Sequence, residues 1–208
     1  MVQTTDLKYA YDGGQTLSFP NLELPDGEHL LIIGPSGVGK TTLLHLLSGL
    51  LPPAQGTIRI GETELTALNR KELDQFRGSH MGIVFQQYHF IKSLTVSENM
   101  RLRQSYPQNV EDKQRRNLLS ERLGLADFSS KKVTELSQGQ RQRLSIALGL
   151  IHQPKIVFAD EPTSNLDDEN CNKVVQLLKD EAEICKSSLV IITHDQRVKS
   201  HFKNQVVL

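Results

Sequence analysis

The stretch GPSGVGKTT, Gly34 to Thr42, constrains this chain of 208 residues more than any other. The apolar run His29–Ile33 precedes it, and Leu43, Leu46, Leu47 and Leu50 follow at helical spacing until Gly49 and Pro52-Pro53 intervene. That pattern predicts a buried strand, a glycine-rich loop and a helix over 43–51. Glycines let a loop turn successive backbone N–H groups onto an anion with no Cβ in the way. The helix that follows adds the partial positive charge of its N-terminus. Lys40 contributes a full charge suited to β- and γ-phosphates, and the Thr41 hydroxyl is placed to ligate Mg²⁺. The spacing therefore predicts a phosphate loop made of Gly34, Pro35, Ser36, Gly37, Val38, Gly39, Lys40, Thr41 and Thr42.

Two more apolar runs, 156–159 and 189–192, have the unbroken hydrophobicity of parallel strands covered on both faces. Their C-terminal ends carry Asp160-Glu161 and Thr193-His194-Asp195. Ligands of open α/β sheets sit at the carboxyl edge, so three such ends predict one site. If the strands before Gly34 and Asp160 are neighbours, two carboxylates stand beside the phosphate loop. Asp160 then holds Mg²⁺, directly or through water, and Glu161 polarises the attacking water as general base. His194, alone among seven histidines, ends such a strand and is a candidate γ-phosphate contact.

The rest of the chain fills in around this core. Residues 1–28 and 57–60 read as short antiparallel strands. From Tyr88 to His152 the sequence turns charged, lacks a convincing buried strand and carries helical spacing, as over 110–123. The expected architecture is α/β: a phosphate-loop core with a mostly parallel sheet, an N-terminal antiparallel β part and an inserted helical sub-domain. A single domain spans 1–208, with 1–87 and 153–208 as core and 88–152 as the insertion.

Composition excludes several classes. Lysine and arginine number 24, matched by 24 aspartates and glutamates, which argues against a dedicated nucleic-acid binder. On one helix Cys171 and Cys185 would stand roughly 21 Å apart, too far for a disulfide, whose Cα atoms lie within about 7 Å. They read as reduced thiols of a cytosolic chain. The opening MVQTTDLKYAYDGG is polar, unlike a signal peptide. LLIIG, LLHLLSGLL and SLVIIT fall short of the roughly 20 residues of a spanning helix, so a membrane role would come through a partner.

Taken in order, the phosphate loop, GIVFQQ, LSQGQ, ADEP, SNLD and THD resemble the nucleotide-binding subunit of ATP-binding cassette (ABC) transporters, from about Tyr11 to the C-terminus. The resemblance implies that Lys40 and Thr41 bind ATP and Mg²⁺. It implies that Gln86, which fits the pattern better than Gln87, senses metal and attacking water and couples to a membrane partner. Tyr11 would stack on adenine, with Tyr9 two residues away as the alternative. Ser137, Gly139 and Gln140 would open a helix aimed at the γ-phosphate held by a second copy, with Asp167 on the shared interface. Two chains would thus enclose two ATP molecules head to tail. This chain has Gln138 where the family's commonest signature has glycine, and keeps Gly139.

MGIVFQQYHFIKSLTVSEN and LTALNRKELDQFRGSHMG look like the ATPases of the macrolide-efflux and lipoprotein-release group. That likeness implies a peripheral protein on the cytoplasmic face of the inner membrane, driving export or extraction of cargo. Tyr88, His89, Phe90 and Ile91 would line the groove that receives the integral-membrane subunit. A regulatory cassette ATPase of cell division, which signals without transporting, is the alternative. A chromosome or repair ATPase would need long heptad-patterned coiled coils absent from this sequence, and a phosphate-loop kinase would not need LSQGQ.

Overall fold

Strands with no polar alternation need cover on both faces, and here they receive it. The computed structural model describes residues 1–11, 13–106, 111–164 and 166–208. In chain order the elements are β1 (Val2–Ala10), β2 (Thr16–Ser18), β3 (Glu23–Leu24), β4 (His29–Ile33), α1 (Lys40–Leu47), β5 (Gln55–Ile60), β6 (Thr63–Glu64), α2 (Arg70–His80), β7 (Met81–Val84), α3 (Val96–Ser105), α4 (Lys113–Arg122), α5 (Gln138–Leu150), β8 (Ile156–Asp160), α6 (Asp168–Ile184), β9 (Ser188–Thr193) and β10 (Asn204–Val207).

The parallel sheet has the order β10-β4-β9-β8-β7. Successive residues of each central strand point to opposite faces. Leu31, Ile33, Val157, Ala159, Leu189 and Ile191 join the core under α3 to α6. Leu30, Ile32, Ile156, Phe158, Val190 and Ile192 join a second core with α1 and the antiparallel sheet. That second sheet pairs β1 with β2, β3 and β5, and β5 with β6.

The order corrects one sequence expectation. β4 and β8 are not neighbours; β9 lies between them. The carboxylates still reach the phosphate loop: Asp160 pairs with Ile192 one residue short of the end of the intervening strand, yet its side chain meets Thr41 at 3.3 Å, and Glu161 stands 3.9 Å from Lys40.

The helix after the loop is also shifted from the expected 43–51. It begins at Lys40 and stops at Leu47. Gly49 adopts φ +65°, and the N–H groups of Leu50 and Leu51 both turn back to the His45 carbonyl, at 2.7 and 3.1 Å. This left-handed cap closes the helix and leaves Leu50 exposed instead of on the apolar stripe. In the insertion, the expected helix over 110–123 is α4, Lys113–Arg122; Val110 lies outside the described residues.

Side-chain caps fix the starts of α2 to α6. Asn69, Thr95 and Ser137 form reciprocal boxes with Glu72, Glu98 and Gln140, while Asp112 and Asp167 accept from Arg115 and Asn170 N–H. Each satisfies an N–H that the helix cannot bond internally. α5 is seated on β7 by two glycines: a Cβ on Gly82 would collide with the Gly149 carbonyl. That close approach sets where the N-terminus of α5, with Ser137, can stand.

Candidate functional site

A cleft of about 500 Å³ opens at the carboxyl edge of the parallel sheet. Of the residues expected from sequence, Tyr11, Ser36, Gly37, Gly39, Lys40, Thr41, Thr42, Gln86, Glu161 and His194 line it. Gly14, Gln15 and Leu17 line it too, and nothing in the sequence singled them out; the β1–β2 hairpin carries them there.

Gly39 has φ +103°, a backbone that side chains disfavour, and a Cβ there would stand 3.1 Å from Leu17 and 3.4 Å from Phe19. The antiparallel sheet thus rests directly on the phosphate loop. Lys40 is buried, and its Nζ donates to the carbonyls of Gly34 (2.9 Å) and Pro35 (2.8 Å), with Glu161 Oε1 at 3.9 Å. Gly34 and Pro35 therefore contribute carbonyls that orient the lysine, while Val38 lies against Gly34 and outside the cleft lining.

Asp160 sits behind the lining, with Oδ1 accepting from the Thr41 hydroxyl at 3.3 Å. Burial pushes its carboxyl up from the usual range, opposed by that hydrogen bond. A buried carboxylate beside a hydroxyl, with Gln86 on the same cleft wall, is an all-oxygen donor set of the kind Mg²⁺ takes. Among the described residues no group of three or more His, Cys, Asp or Glu is arranged to hold a metal ion by itself. The set suits an ion whose remaining ligands are phosphate oxygens and water.

Glu161 adopts φ +48°, an uncommon backbone for a residue with a Cβ. Its N–H is held by the Ile192 carbonyl at 2.8 Å. Its carboxylate accepts from the Thr193 hydroxyl (2.7 Å), from His194 N–H (3.1 Å), and meets His194 Nδ1 at 2.9 Å. β9, the strand that separates β8 from β4, is thus what aims the glutamate. Thr193 had no distinguishing signal beyond its place in THD.

Tyr11 donates or accepts at Thr42 Oγ1, 2.8 Å away, and half of its surface is exposed over the cleft. Tyr9 meets it edge-on at 4.8 Å but packs against the core. Gln86 lines the cleft. It also lines a second, narrow gap with Tyr88, Gln142, Glu161 and Pro162, and there Gln142 of α5 donates to the Pro162 carbonyl.

Ser137, Gly139 and Gln140 are not in this cleft lining. Ser137 accepts from Gln140 N–H at 3.3 Å and Gln140 returns the bond at 2.8 Å; Ser137 and Gly139 are exposed, and a Cβ on Gly139 would meet nothing within 4 Å. Asp167 is likewise exposed at the start of α6, and Asn165 of SNLD lies outside the described residues. A separate groove of about 580 Å³ runs between α2, β7, α3 and α5, with His89, Phe90 and Ile91 in its wall. Tyr88 does not line it, contrary to expectation: its ring stacks on Phe90 at 5.4 Å and faces the narrow gap beside Gln86.

A phosphate loop, a strand-end pair of acids and a strand-end histidine around one cleft define a phosphate-loop nucleoside triphosphatase. The ABC transporter family model matches residues 17–164, and the chain belongs to that family. It is 38% identical over 196 residues to the lipoprotein-releasing system ATP-binding protein LolD of Legionella pneumophila (strain Paris), covering 93% of this chain and 86% of that one. It is 36% identical over 183 residues to the macrolide export ATP-binding/permease protein MacB of Burkholderia thailandensis, covering 87% of this chain and 28% of that protein. Dimeric MJ0796, a bacterial ABC transporter cassette, superposes with a TM-score of 0.89 at 31% identity, covering 100% of this chain and 94% of that one. Its post-hydrolysis dimer bound to ADP and Pi gives 0.87 at 32% identity. The chain is an ATPase that uses ATP with Mg²⁺, and its likeness to the macrolide-efflux and lipoprotein-release group stands.

Proposed function

We propose that two copies of this chain close head to tail around two ATP molecules and drive an integral-membrane partner that exports or extracts cargo. One observation carries this: Ser137 and the N-terminus of α5 are exposed and lie outside the cleft that Lys40, Thr41, Gln86, Glu161 and His194 line together. A helix start with Ser137 and unhindered Gly139 is an anion site in want of an anion, and the cleft of a second copy supplies one. The dimeric form of MJ0796 supports the same reading.

In each composite site, Lys40 and the loop N–H groups grip the β- and γ-phosphates, and Tyr11 stacks on adenine. Thr41, Asp160 and Gln86 would hold Mg²⁺, which when bound would supply positive charge against that developing on the phosphates. Glu161 takes the proton of the attacking water. His194 contacts the γ-phosphate and steadies Glu161, and Ser137, Gly139 and Gln140 of the other copy close the site, with Asp167 on the boundary. Cleavage removes the charge that bridged the copies, so the interface loosens.

No described helix is long and apolar enough to cross a membrane. We place the protein at the cytoplasmic face of the inner membrane, held by a partner seated in the groove beside His89, Phe90 and Ile91. The helical stretch 88–152 is the arm that transmits closure.

Mixing Lys40→Ala chains with Ser137→Arg chains tests the sandwich. One composite site of the mixed dimer is intact, so ATP-dependent dimerisation and partial hydrolysis return. Return of neither removes the shared-site arrangement.

A further inference from the structure

Arg197, in the turn Gln196–His201 after β9, commits its guanidinium in two directions. Inward it grips Asp195 with two parallel bonds, Nε to Oδ1 at 2.9 Å and Nη2 to Oδ2 at 2.7 Å. Outward, Nη1 donates to the Leu166 carbonyl at 3.1 Å and to Asp168 Oδ1 at 2.6 Å. Leu166 and Asp168 flank Asp167, whose side chain caps α6.

The inner end of this bridge reaches the reacting groups. Asp195 follows His194, and its N–H donates to the Thr193 hydroxyl at 3.0 Å, which itself donates to Glu161 at 2.7 Å. Thr163, two residues past Glu161, donates to Asp195 Oδ2 at 3.0 Å. Arginine holds the Asp195 carboxyl far below the ordinary carboxylate range, so the pair stays ionised. A planar fork with two acceptors on one carboxylate fixes orientation as well as distance.

We propose that Arg197 is a positioning residue that couples the γ-phosphate end of one cleft, through Asp195 and His194, to the Asp167 segment facing the other copy. The proposal rests on the two-copy arrangement above. A nucleotide bound or cleaved beside His194 shifts the strand end, and the guanidinium carries that shift to the Leu166 carbonyl and the Asp168 side chain on either side of Asp167. The two sites therefore hydrolyse cooperatively. Asp168 is 86% exposed at its side chain, and an ion pair so open to solvent contributes little stability. Its removal therefore isolates communication from folding.

The test compares Arg197→Met, Arg197→Lys and Asp168→Asn as full chains. We expect KM for ATP within about twofold of the parent and kcat for Arg197→Met lower on the order of tenfold. We expect a Hill coefficient reduced to about 1 in all three. Lysine does not rescue, since a point charge cannot hold these four acceptor oxygens in fork geometry. If Arg197→Met fails to fold, Asp168→Asn alone carries the cooperativity measurement. In a Glu161→Gln background, ATP-dependent dimerisation is measured with and without the Arg197 change. Parental kcat and Hill coefficient alongside a lowered melting temperature overturn the proposal and leave Arg197 a structural staple, while dimers of Glu161→Gln keep the two-copy arrangement standing. A Glu161→Gln chain that stays monomeric in ATP defeats that arrangement and this proposal with it.

Discussion

The Glu161 carboxylate stands 2.9 Å from Nδ1 of His194, and the same histidine's N–H donates to it at 3.1 Å. The proposed general base and the proposed γ-phosphate contact are therefore one hydrogen-bonded unit, joined across β8 and β9. Replacing Glu161 with Gln keeps size and most bonds but removes the base. Hydrolysis is expected to fall roughly 10²-fold to 10⁴-fold with ATP affinity retained, and the chain to accumulate as dimers, as read by turnover and size-exclusion chromatography. Ordinary turnover would assign the base elsewhere.

Tyr11 and Tyr9 divide by position, since only Tyr11 faces the cleft. Tyr11→Ala should weaken ATP binding roughly tenfold, the scale of a lost base–aromatic stack. Tyr9→Ala should lower stability and leave nucleotide affinity nearly unchanged. Fluorescent-nucleotide titration separates the two, and equal losses in both variants would deny Tyr11 a specific role.

Phe90 packs partly on the core beneath the arm and partly faces the groove. Phe90→Ala is expected to keep nucleotide binding and lose stimulation of ATPase by the proposed membrane partner. Full stimulation in this variant would remove the groove as the docking place.

Gly82→Ala puts a methyl group into the Gly149 carbonyl. Backbone cannot yield as a side chain tip does, so the variant should lose about 1–3 kcal/mol in urea unfolding. Displacement of α5 should also weaken ATP-dependent dimerisation. Unaltered stability would mean that β7 and α5 can separate freely.

His152 is pushed down from 6.5 to about 3, first by burial and then by Arg103, whose Nη2 lies 2.7 Å from its Nε2. The unfolded chain therefore binds a proton that the folded chain refuses between those values. The contribution of His152 to stability is expected to be fully present above about pH 6.5 and to be lost as pH falls towards 3. His152→Gln, whose amide oxygen can accept from Arg103, should flatten that slope and remove a loss on the order of a few kcal/mol over the window. Parallel stability curves for the two proteins would exclude His152 as the source.

Sequence alone determined the parts whose causes are local. Glycine spacing, apolar runs and capping residues act within a few positions, so the phosphate loop, the strands over 29–33, 156–159 and 189–192 to within a residue at each end, and the start of α5 at Ser137 were legible. Bounds set by short-range cues failed where one residue's backbone decided: Gly49 ended α1 early, and ring stacking turned Tyr88 from the groove. Only tertiary structure decided the strand order that inserts β9 between the two phosphate-directed strands. The same folding brought Thr41 to Asp160 across 119 positions, carried Gln15 and Leu17 over the loop, and joined Arg197 to both sides of Asp167. Such contacts depend on which strands pair and which faces meet, and that choice is made by the burial of the whole sheet between its two cores.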